Sequence, residues 1–243
     1  MSSLLIPIAP LTRTKSRLRE CFTVEQLKEL TIAMFKDLGS ILTKVNFFDH
    51  KIIYCNAPEI LELSDDYGLI GIKEELTTPP KSFDTVIQDL NDIAIKKFHA
   101  EQTVFSFLDL ILISIENFQD INDLIQKNQL VICPAVHSAG ISILGRNPPD
   151  IVQSYFSHPH LPSLVALLEN AAKKGIEKIT IYDSFRAGFD IDITQDLVLA
   201  YQYLKIFNLK HKEVFKFLKE NLKLRLKKSS TTNNRAFRIV KKM

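Results

Sequence analysis

The chain has few cysteines, no long uninterrupted apolar run and only a small excess of charge, and each shortage excludes a class of protein. Its three cysteines, Cys21, Cys55 and Cys133, show neither a CxxC pair nor zinc-finger spacing to histidine. We therefore expect reduced thiols rather than a disulfide or zinc framework. The longest apolar run, residues 108–115, is interrupted by Asp109, and the apolar N-terminal stretch is too short for a signal peptide. We expect a cytoplasmic protein without a membrane partner.

Basic residues are concentrated in one part of the chain. The formal net charge is +3 over 243 residues, an excess too small to indicate a nucleic-acid partner by itself. From residue 205 onward lysine and arginine greatly outnumber acidic residues, and residues 211–227 have the apolar spacing of an amphipathic helix. We expect this helix to pack on the domain. Contact with nucleic acid or an anionic membrane is the alternative, which the lack of interleaved aromatic residues disfavours.

These patterns divide the chain into two parts. Residues 1–208 are predicted to form one domain, and residues 209–243 a basic C-terminal helix and tail. Within the tail, residues 229–234 are predicted to be a polar hinge before a basic end.

Short apolar strands alternate with helical patterns along the chain. Apolar runs predict strands at residues 4–8, 51–55, 69–72, 104–109, 130–135, 142–144 and 179–182. Apolar residues at helical spacing predict helices at residues 23–43, 83–98, 117–127, 161–174 and 194–207. This alternation is typical of an α/β protein, with a mostly parallel sheet flanked by helices on both faces.

Charged residues follow several of the predicted strands, at the ends where parallel sheets bind ligands. Lys15 and Arg17 lie after the first strand, Asp109 ends a central one, and Asp190 and Asp192 follow the last. Three carboxylates with a nearby lysine suit magnesium and nucleotidyl transfer. An aspartate at a strand end is also a common helix cap or loop acceptor, and the residue types alone leave that alternative open.

Three segments resemble the 2-phospho-L-lactate guanylyltransferase family. Ile6-Pro7 with residues 14–18 is similar to its opening motif, residues 104–114 to its Asp-bearing central strand, and residues 182–192 to its C-terminal signature. The resemblance covers residues 4–205. It implies a Rossmann-like nucleotidyltransferase fold of the nucleotide-diphospho-sugar transferase type. It also implies transfer of GMP from GTP to 2-phospho-L-lactate or phosphoenolpyruvate, with release of pyrophosphate, in deazaflavin coenzyme biosynthesis.

The resemblance also implies roles for individual residues and a homodimer. Asp109, Asp190 and Asp192 would hold Mg²⁺ and Lys15 would contact phosphate, these four forming the catalytic set. Nucleotide contacts would come from Lys15, Arg17 and Asp84, the last standing where the family has an asparagine.

The segments expected to bind the acceptor depart from the family pattern. The family's Gly-rich loop is replaced by residues 138–142, where Ile141 takes the place of a threonine and Ser142 is the nearest hydroxyl. Ser157 and His160 stand where the family has glycine and serine. We expect Ser142, Ser157 and His160 to contact a small phosphorylated acid. The alternatives are a catalytically weak binding or assembly protein, and a transferase of the sugar-nucleotide or molybdopterin type.

The C-terminal signature carries two structural expectations. Asp183 and Arg186 are predicted to pair and shape the loop, with direct contact to the substrate as the alternative. Gly188 is predicted to supply a backbone conformation that other residues resist. The segment His158-Pro159-His160 is read as a solvated loop, with metal ligation as the alternative.

Overall fold

A computed structural model describes residues 1–229 and 237–241. The chain forms two compact units: the first contains residues 1–10 and 38–190, and the second residues 11–37 and 191–243. The sequence-based boundary at residue 208 stays a prediction.

A seven-stranded sheet forms the centre of the first unit. Its strands are β1 (Ser2–Ile8), β2 (His50–Cys55), β3 (Ile70–Lys73), β4 (Gln102–Ser106), β5 (Leu130–Pro134), β6 (Ile141–Arg146) and β7 (Ile179–Ile181), arranged in the order β3-β2-β1-β4-β6-β5-β7. All neighbouring pairs are parallel except those of β6, which runs antiparallel to β4 and β5. The predicted mostly parallel sheet is therefore confirmed. The antiparallel β6 was not foreseen.

The helices of the first unit follow the expected alternation. They are α2 (Pro58–Asp66), α3 (Phe83–Phe98), α4 (Ile115–Ile125), α5 (Ser163–Lys173) and α6 (Phe185–Gly188), while α1 (Val24–Leu42) contributes its last residues here. Helix α3 begins where Ser82 Oγ accepts from Thr85 N at 3.1 Å, and it ends at His99 with φ 52°. Gly175, with φ 69°, follows α5 as predicted. Helices α2 and α6 were not predicted.

A buried polar network fixes α3 to the sheet. Arg146, 1% exposed, donates Nη2 to Asn91 Oδ1 at 2.8 Å, and Thr103 Oγ1 donates to the same oxygen at 2.9 Å. Arg146 Nη1 also donates to the carbonyl of Val152 at 3.3 Å. Burial lowers the pKa of Arg146 to about 10. Because an unpaired buried charge is costly, this network fixes the positions of β4, β6 and α3 in the first unit.

The predicted thiols occupy two environments. Cys55 and Cys133 are buried, and burial raises the pKa of each to about 11. A thiol with so high a pKa is a poor nucleophile at neutral pH and acts as a small apolar side chain. Cys21 is partly exposed.

The second unit contains the short 3₁₀ helix at Ser16–Leu18, most of α1, α7 (Thr194–Ile206), α8 (Glu213–Asn221) and the antiparallel hairpin β8 (Leu224–Lys228) and β9 (Phe237–Lys241). The predicted helix at residues 211–227 was therefore wrong from Leu222 onward. From Leu224 onward apolar and basic residues alternate, a period that suits a strand. The predicted hinge at residues 229–234 lies outside the described residues except for Ser229.

Helix α8 is capped by a side chain from α1. Asp37 accepts hydrogen bonds from the backbone amides of Glu213 at 2.8 Å and Val214 at 3.0 Å. Burial raises the pKa of Asp37, against the opposing effect of these two hydrogen bonds. In the described part of the chain, no helix combines the length and the apolar character that crossing a bilayer requires.

We expect Asp37→Ala to lower the free energy of unfolding by about 1–2 kcal/mol at pH 7, because two amides of α8 lose their acceptor. A raised pKa means that the folded state binds the proton more tightly than the unfolded state. The stabilisation by Asp37 is therefore largest below the ordinary carboxyl pKa of 3.8 and falls as pH rises through the raised value. Urea unfolding of the unsubstituted protein and of Asp37→Ala, from below pH 3.8 to pH 7, measures the difference in free energy of unfolding. A difference that grows as pH rises would contradict the raised pKa of Asp37.

Candidate active site

The carboxyl ends of the parallel strands bring several predicted residues to one edge of the sheet in the first unit. Strands β4, β5 and β7 run in the same direction, and β6 begins at the edge where they end. The segments after these strands hold Asp109, residues 135–140 and Asp183. Loops at this edge are where parallel α/β sheets bind ligands.

Asp109 lies in the turn after β4. Strand β4 ends at Ser106, so the expectation that Asp109 ends the strand was wrong by three residues. Asp109 is 5% exposed, and its backbone carbonyl accepts from Ile111 N at 2.9 Å. A carboxylate so deeply covered is costly unless it meets polar or charged partners.

In the second unit the structure brings together Lys15, Arg17 and Asp192, all predicted from sequence. Lys15 Nζ donates to the carbonyl of Ile191 at 2.6 Å and to Asp192 Oδ1 at 3.1 Å. Arg17 Nη1 lies 3.4 Å from Asp192 Oδ2. The Lys15 side chain is 15% exposed, whereas that of Arg17 is 72% exposed. Lys15 is therefore held in place, and Arg17 is open to solvent.

The backbone around Asp192 is also fixed. Asp196 Oδ2 accepts from the amides of Asp192 and Ile193, both at 2.9 Å, at the start of α7. Lys15 itself has φ 47°, an uncommon value for a residue with a side chain. These features hold the Lys15–Asp192 pair in one geometry.

The predicted magnesium ligands fit the ion in kind, since carboxylate oxygens are the donors that Mg²⁺ prefers. Asp109 and Asp190 belong to the first unit and Asp192 to the second. Within residues 1–229 and 237–241, no group of three or more His, Cys, Asp or Glu side chains is arranged to hold a metal ion. The three-carboxylate site therefore stays a prediction.

Asp84 and Ser157 lie together, although sequence reasoning assigned them to different ligands. Asp84 accepts from the backbone amides of Phe156 and Ser157, both at 2.7 Å, and from the hydroxyl of Ser154. A cavity of about 260 Å³ adjoins this contact, lined by Asp84, Thr85, Gln88, Asp89, Gln153, Ser154 and Tyr155.

The next residues of the same loop are organised by His158. Its Nδ1 accepts from Leu161 N at 2.9 Å and from His160 N at 3.3 Å. His158 thus shapes the loop, while the side chain of His160 is exposed.

Ser142 has a different setting. It is fully buried, and its hydroxyl donates to the carbonyl of Cys133 at 3.0 Å, between β6 and β5. Its contact with an acceptor stays a prediction, and in this structure the hydroxyl is engaged inside the sheet.

The signature segment is tied to the Asp109 segment by a contact that sequence reasoning missed. Arg186 Nε donates to the carbonyl of Leu112 at 2.9 Å, so this arginine links α6 to the chain just after Asp109. The predicted pairing of Arg186 with Asp183 stays a prediction. In the sequence, Arg186 was singled out by the similarity of residues 182–192 to the family's C-terminal signature, which gives no indication of a contact with Leu112.

A second unforeseen network involves Asn117 of α4. Its Nδ2 donates to Tyr182 Oη at 3.0 Å and to Ser184 Oγ at 3.3 Å, and Tyr182 Oη donates to Asp120 at 2.8 Å. The chain after β7 is therefore held against α4. Nothing in the local sequence around Asn117 indicated these distant partners.

Gly188 is required by close approach rather than by an unusual φ angle. A Cβ at this position would lie 2.5 Å from the carbonyl oxygen of Pro134, the last residue of β5. The Gly188 carbonyl accepts from Val136 N at 2.8 Å. The expectation of a special conformation was wrong, because Gly188 is helical and its φ is not positive.

Comparisons with known proteins agree on one family and one fold. A family model described as "Guanylyl transferase CofC like" matches residues 2–240. The chain is 25% identical over 194 residues to a 2-phospho-L-lactate guanylyltransferase of Methanocaldococcus sp. (strain FS406-22), covering 79% of this chain and 78% of the relative. The protein of that name from Methanocaldococcus jannaschii is 26% identical over 194 residues, covering 79% of each chain.

Solved structures share the fold at low identity. A Desulfovibrio desulfuricans G20 protein, provisionally described as a nucleotide-diphospho-sugar transferase, superposes with a TM-score of 0.70 at 15% identity, covering 90% of this chain and 94% of that one. The 4-diphosphocytidyl-2C-methyl-D-erythritol synthase of Anaerococcus prevotii has a TM-score of 0.57 at 12% identity, covering 84% and 96%. The predicted nucleotidyltransferase fold is confirmed.

We expect Gly188→Ala to lower the free energy of unfolding by about 1–3 kcal/mol, because the added methyl group meets a backbone oxygen that cannot move aside. Gly140→Ala is the matched control: its Cβ would lie 2.9 Å from the movable hydroxyl of Ser138, and the next atoms, of Ala135 and Ser163, lie at the ordinary contact distances of 3.7 and 3.9 Å. Urea unfolding compares both variants with the parent. Equal stability of all three proteins would contradict the close-approach explanation.

Proposed function

The chain belongs to the guanylyl transferase CofC-like family, and on that premise we propose that it transfers GMP from GTP to 2-phospho-L-lactate and releases pyrophosphate. The reaction serves deazaflavin coenzyme biosynthesis, and phosphoenolpyruvate or a related small phosphorylated acid is the alternative acceptor. The observation that carries the proposal is the family match over residues 2–240, which spans both units. We also propose a cytoplasmic homodimer.

The reaction needs a nucleophile, an in-line geometry and neutralised phosphate charge. A phosphate oxygen of the acceptor attacks the α-phosphorus of GTP and forms a new P–O–P bond. The bond from the α-phosphorus to the β-phosphate oxygen breaks, and pyrophosphate carries away the electron pair. No covalent intermediate with the protein is required.

Lys15 and Arg17 are the proposed phosphate contacts. The Lys15 ammonium is fixed by a carbonyl and a carboxylate, so it is already oriented before phosphate arrives. Such preorganised charge stabilises the charge that develops on the transferring group. Arg17 is more exposed and offers a planar, multiply donating group to the same phosphates.

Asp109, Asp190 and Asp192 are the proposed ligands of Mg²⁺. When bound, the ion would neutralise negative charge on the phosphates during transfer. On the protein side, Asp192 is also the ion-pair partner of Lys15, so it has a second task in holding that ammonium. Ser142, Ser157 and His160 remain the proposed contacts to the acceptor.

Pyrophosphate release tests the proposal directly. Purified protein is assayed with magnesium, GTP and 2-phospho-L-lactate, with each substrate omitted in turn and with phosphoenolpyruvate as a second acceptor. We expect release only when both substrates are present. Asp109→Ala and Lys15→Met should each lower kcat/KM by about 100-fold or more, because each removes charge stabilisation from the transition state.

Asp92→Ala is the matched control. This carboxylate lies on α3 and accepts hydrogen bonds from the side chains of Gln88 and Lys96, both on the same helix. It should keep parental activity. If no pyrophosphate is released with any substrate pair and calorimetry detects no GTP binding, the proposal of an enzyme is contradicted and the binding or assembly alternative is favoured.

A further inference from the structure

The carboxylate of Asp84 is committed to the loop at residues 154–157. Its two oxygens accept three hydrogen bonds, from the hydroxyl of Ser154 and from the amides of Phe156 and Ser157 at 2.7 Å each. Hydrogen bonds to an ionised acceptor are roughly twice as strong as neutral ones. Asp84 itself is fixed in the first turn of α3. One side of the loop is therefore anchored to a helix.

The other side of the loop is anchored by an aromatic ring. The centroid of the Phe156 ring lies 5.1 Å from that of Phe105, 5.5 Å from that of Phe107 and 5.4 Å from that of Phe83. Phe105 belongs to β4, and Phe107 comes two residues before Asp109. The ring thus connects the loop to the chain that carries Asp109.

The loop contains a backbone conformation that is uncommon for a residue with a side chain. Tyr155, between Ser154 and Phe156, has φ 58°. A non-glycine residue in this region persists only when the surrounding structure over-determines it. Removing the Asp84 carboxylate would release both Phe156 N and Ser157 N and allow this backbone to relax.

We propose that Asp84 is a positioning residue for the acceptor. It holds the loop at residues 154–157 beside the Asp109 turn and thereby sets where Ser157 and His160 meet the phosphorylated acid. The inference rests on the proposed function. It differs from the role implied by resemblance, in which residue 84 contacts the nucleotide, because the carboxylate already serves three donors of the loop.

Steady-state kinetics of Asp84→Asn separate these two roles. The substitution keeps the size of the side chain but turns one acceptor oxygen into an amide group that faces a backbone N–H. We expect the KM for 2-phospho-L-lactate to rise about ten-fold, because a displaced loop misplaces its contacts. The KM for GTP should stay within about two-fold of the parent, and Asp92→Asn should change neither value.

Amide hydrogen exchange in the ligand-free protein supplies a readout that does not depend on activity. We expect the amides of Phe156 and Ser157 to exchange faster in Asp84→Asn and to keep parental rates in Asp92→Asn. If Asp84→Asn does not fold, Ser154→Ala removes one of the three donors and should raise the acceptor KM alone, by a smaller factor.

Two results would overturn the inference. One is a rise in the KM for GTP with the acceptor KM unchanged, which assigns Asp84 to the nucleotide. The other is parental amide exchange at Phe156 and Ser157 in the Asp84 variant. Absence of pyrophosphate release by the parent protein is a separate outcome: it refutes the proposed function, while amide exchange still decides whether Asp84 anchors the loop.

Discussion

The contact of Lys15 Nζ with Asp192 is the interaction on which the proposed chemistry depends. It joins two residues 177 positions apart, one in the loop after β1 and one in the C-terminal signature. A largely covered ammonium requires compensation, and a carbonyl at 2.6 Å and a carboxylate at 3.1 Å supply it. The pair keeps a positive charge fixed at the loop where phosphate is expected, and the exposed Arg17 extends that charge toward solvent.

In the first unit, too, charged side chains bond polar groups that are distant in sequence. Arg146 fixes α3 to the sheet, Arg186 links the signature to the Asp109 segment, and Asp84 holds the loop that carries Ser157. In each contact, a charged side chain forms a hydrogen bond with a backbone group or a side-chain amide that is distant in sequence. Loops fixed in this way are preorganised, which is the property that electrostatic catalysis requires.

The sequence predicted the elements whose signals are local. Strand β1 follows from one apolar run, and α3 follows from its Ser82 cap and helical spacing. Strand β8 (Leu224–Lys228) was missed because a few alternating residues after a helix resemble another turn of that helix. The partners of Asp84 could not be foreseen, since they lie 70 to 73 residues away and are mostly backbone amides, which carry no side-chain signature.

The proposed reaction joins GMP to the phosphate of a small acid. Phosphorus NMR of a mixture of the protein, magnesium, GTP and 2-phospho-L-lactate detects this linkage directly. We expect the acceptor resonance to be replaced by two coupled signals from a new P–O–P linkage, together with free pyrophosphate. An acceptor resonance that stays unchanged while GTP is intact or merely hydrolysed would contradict it.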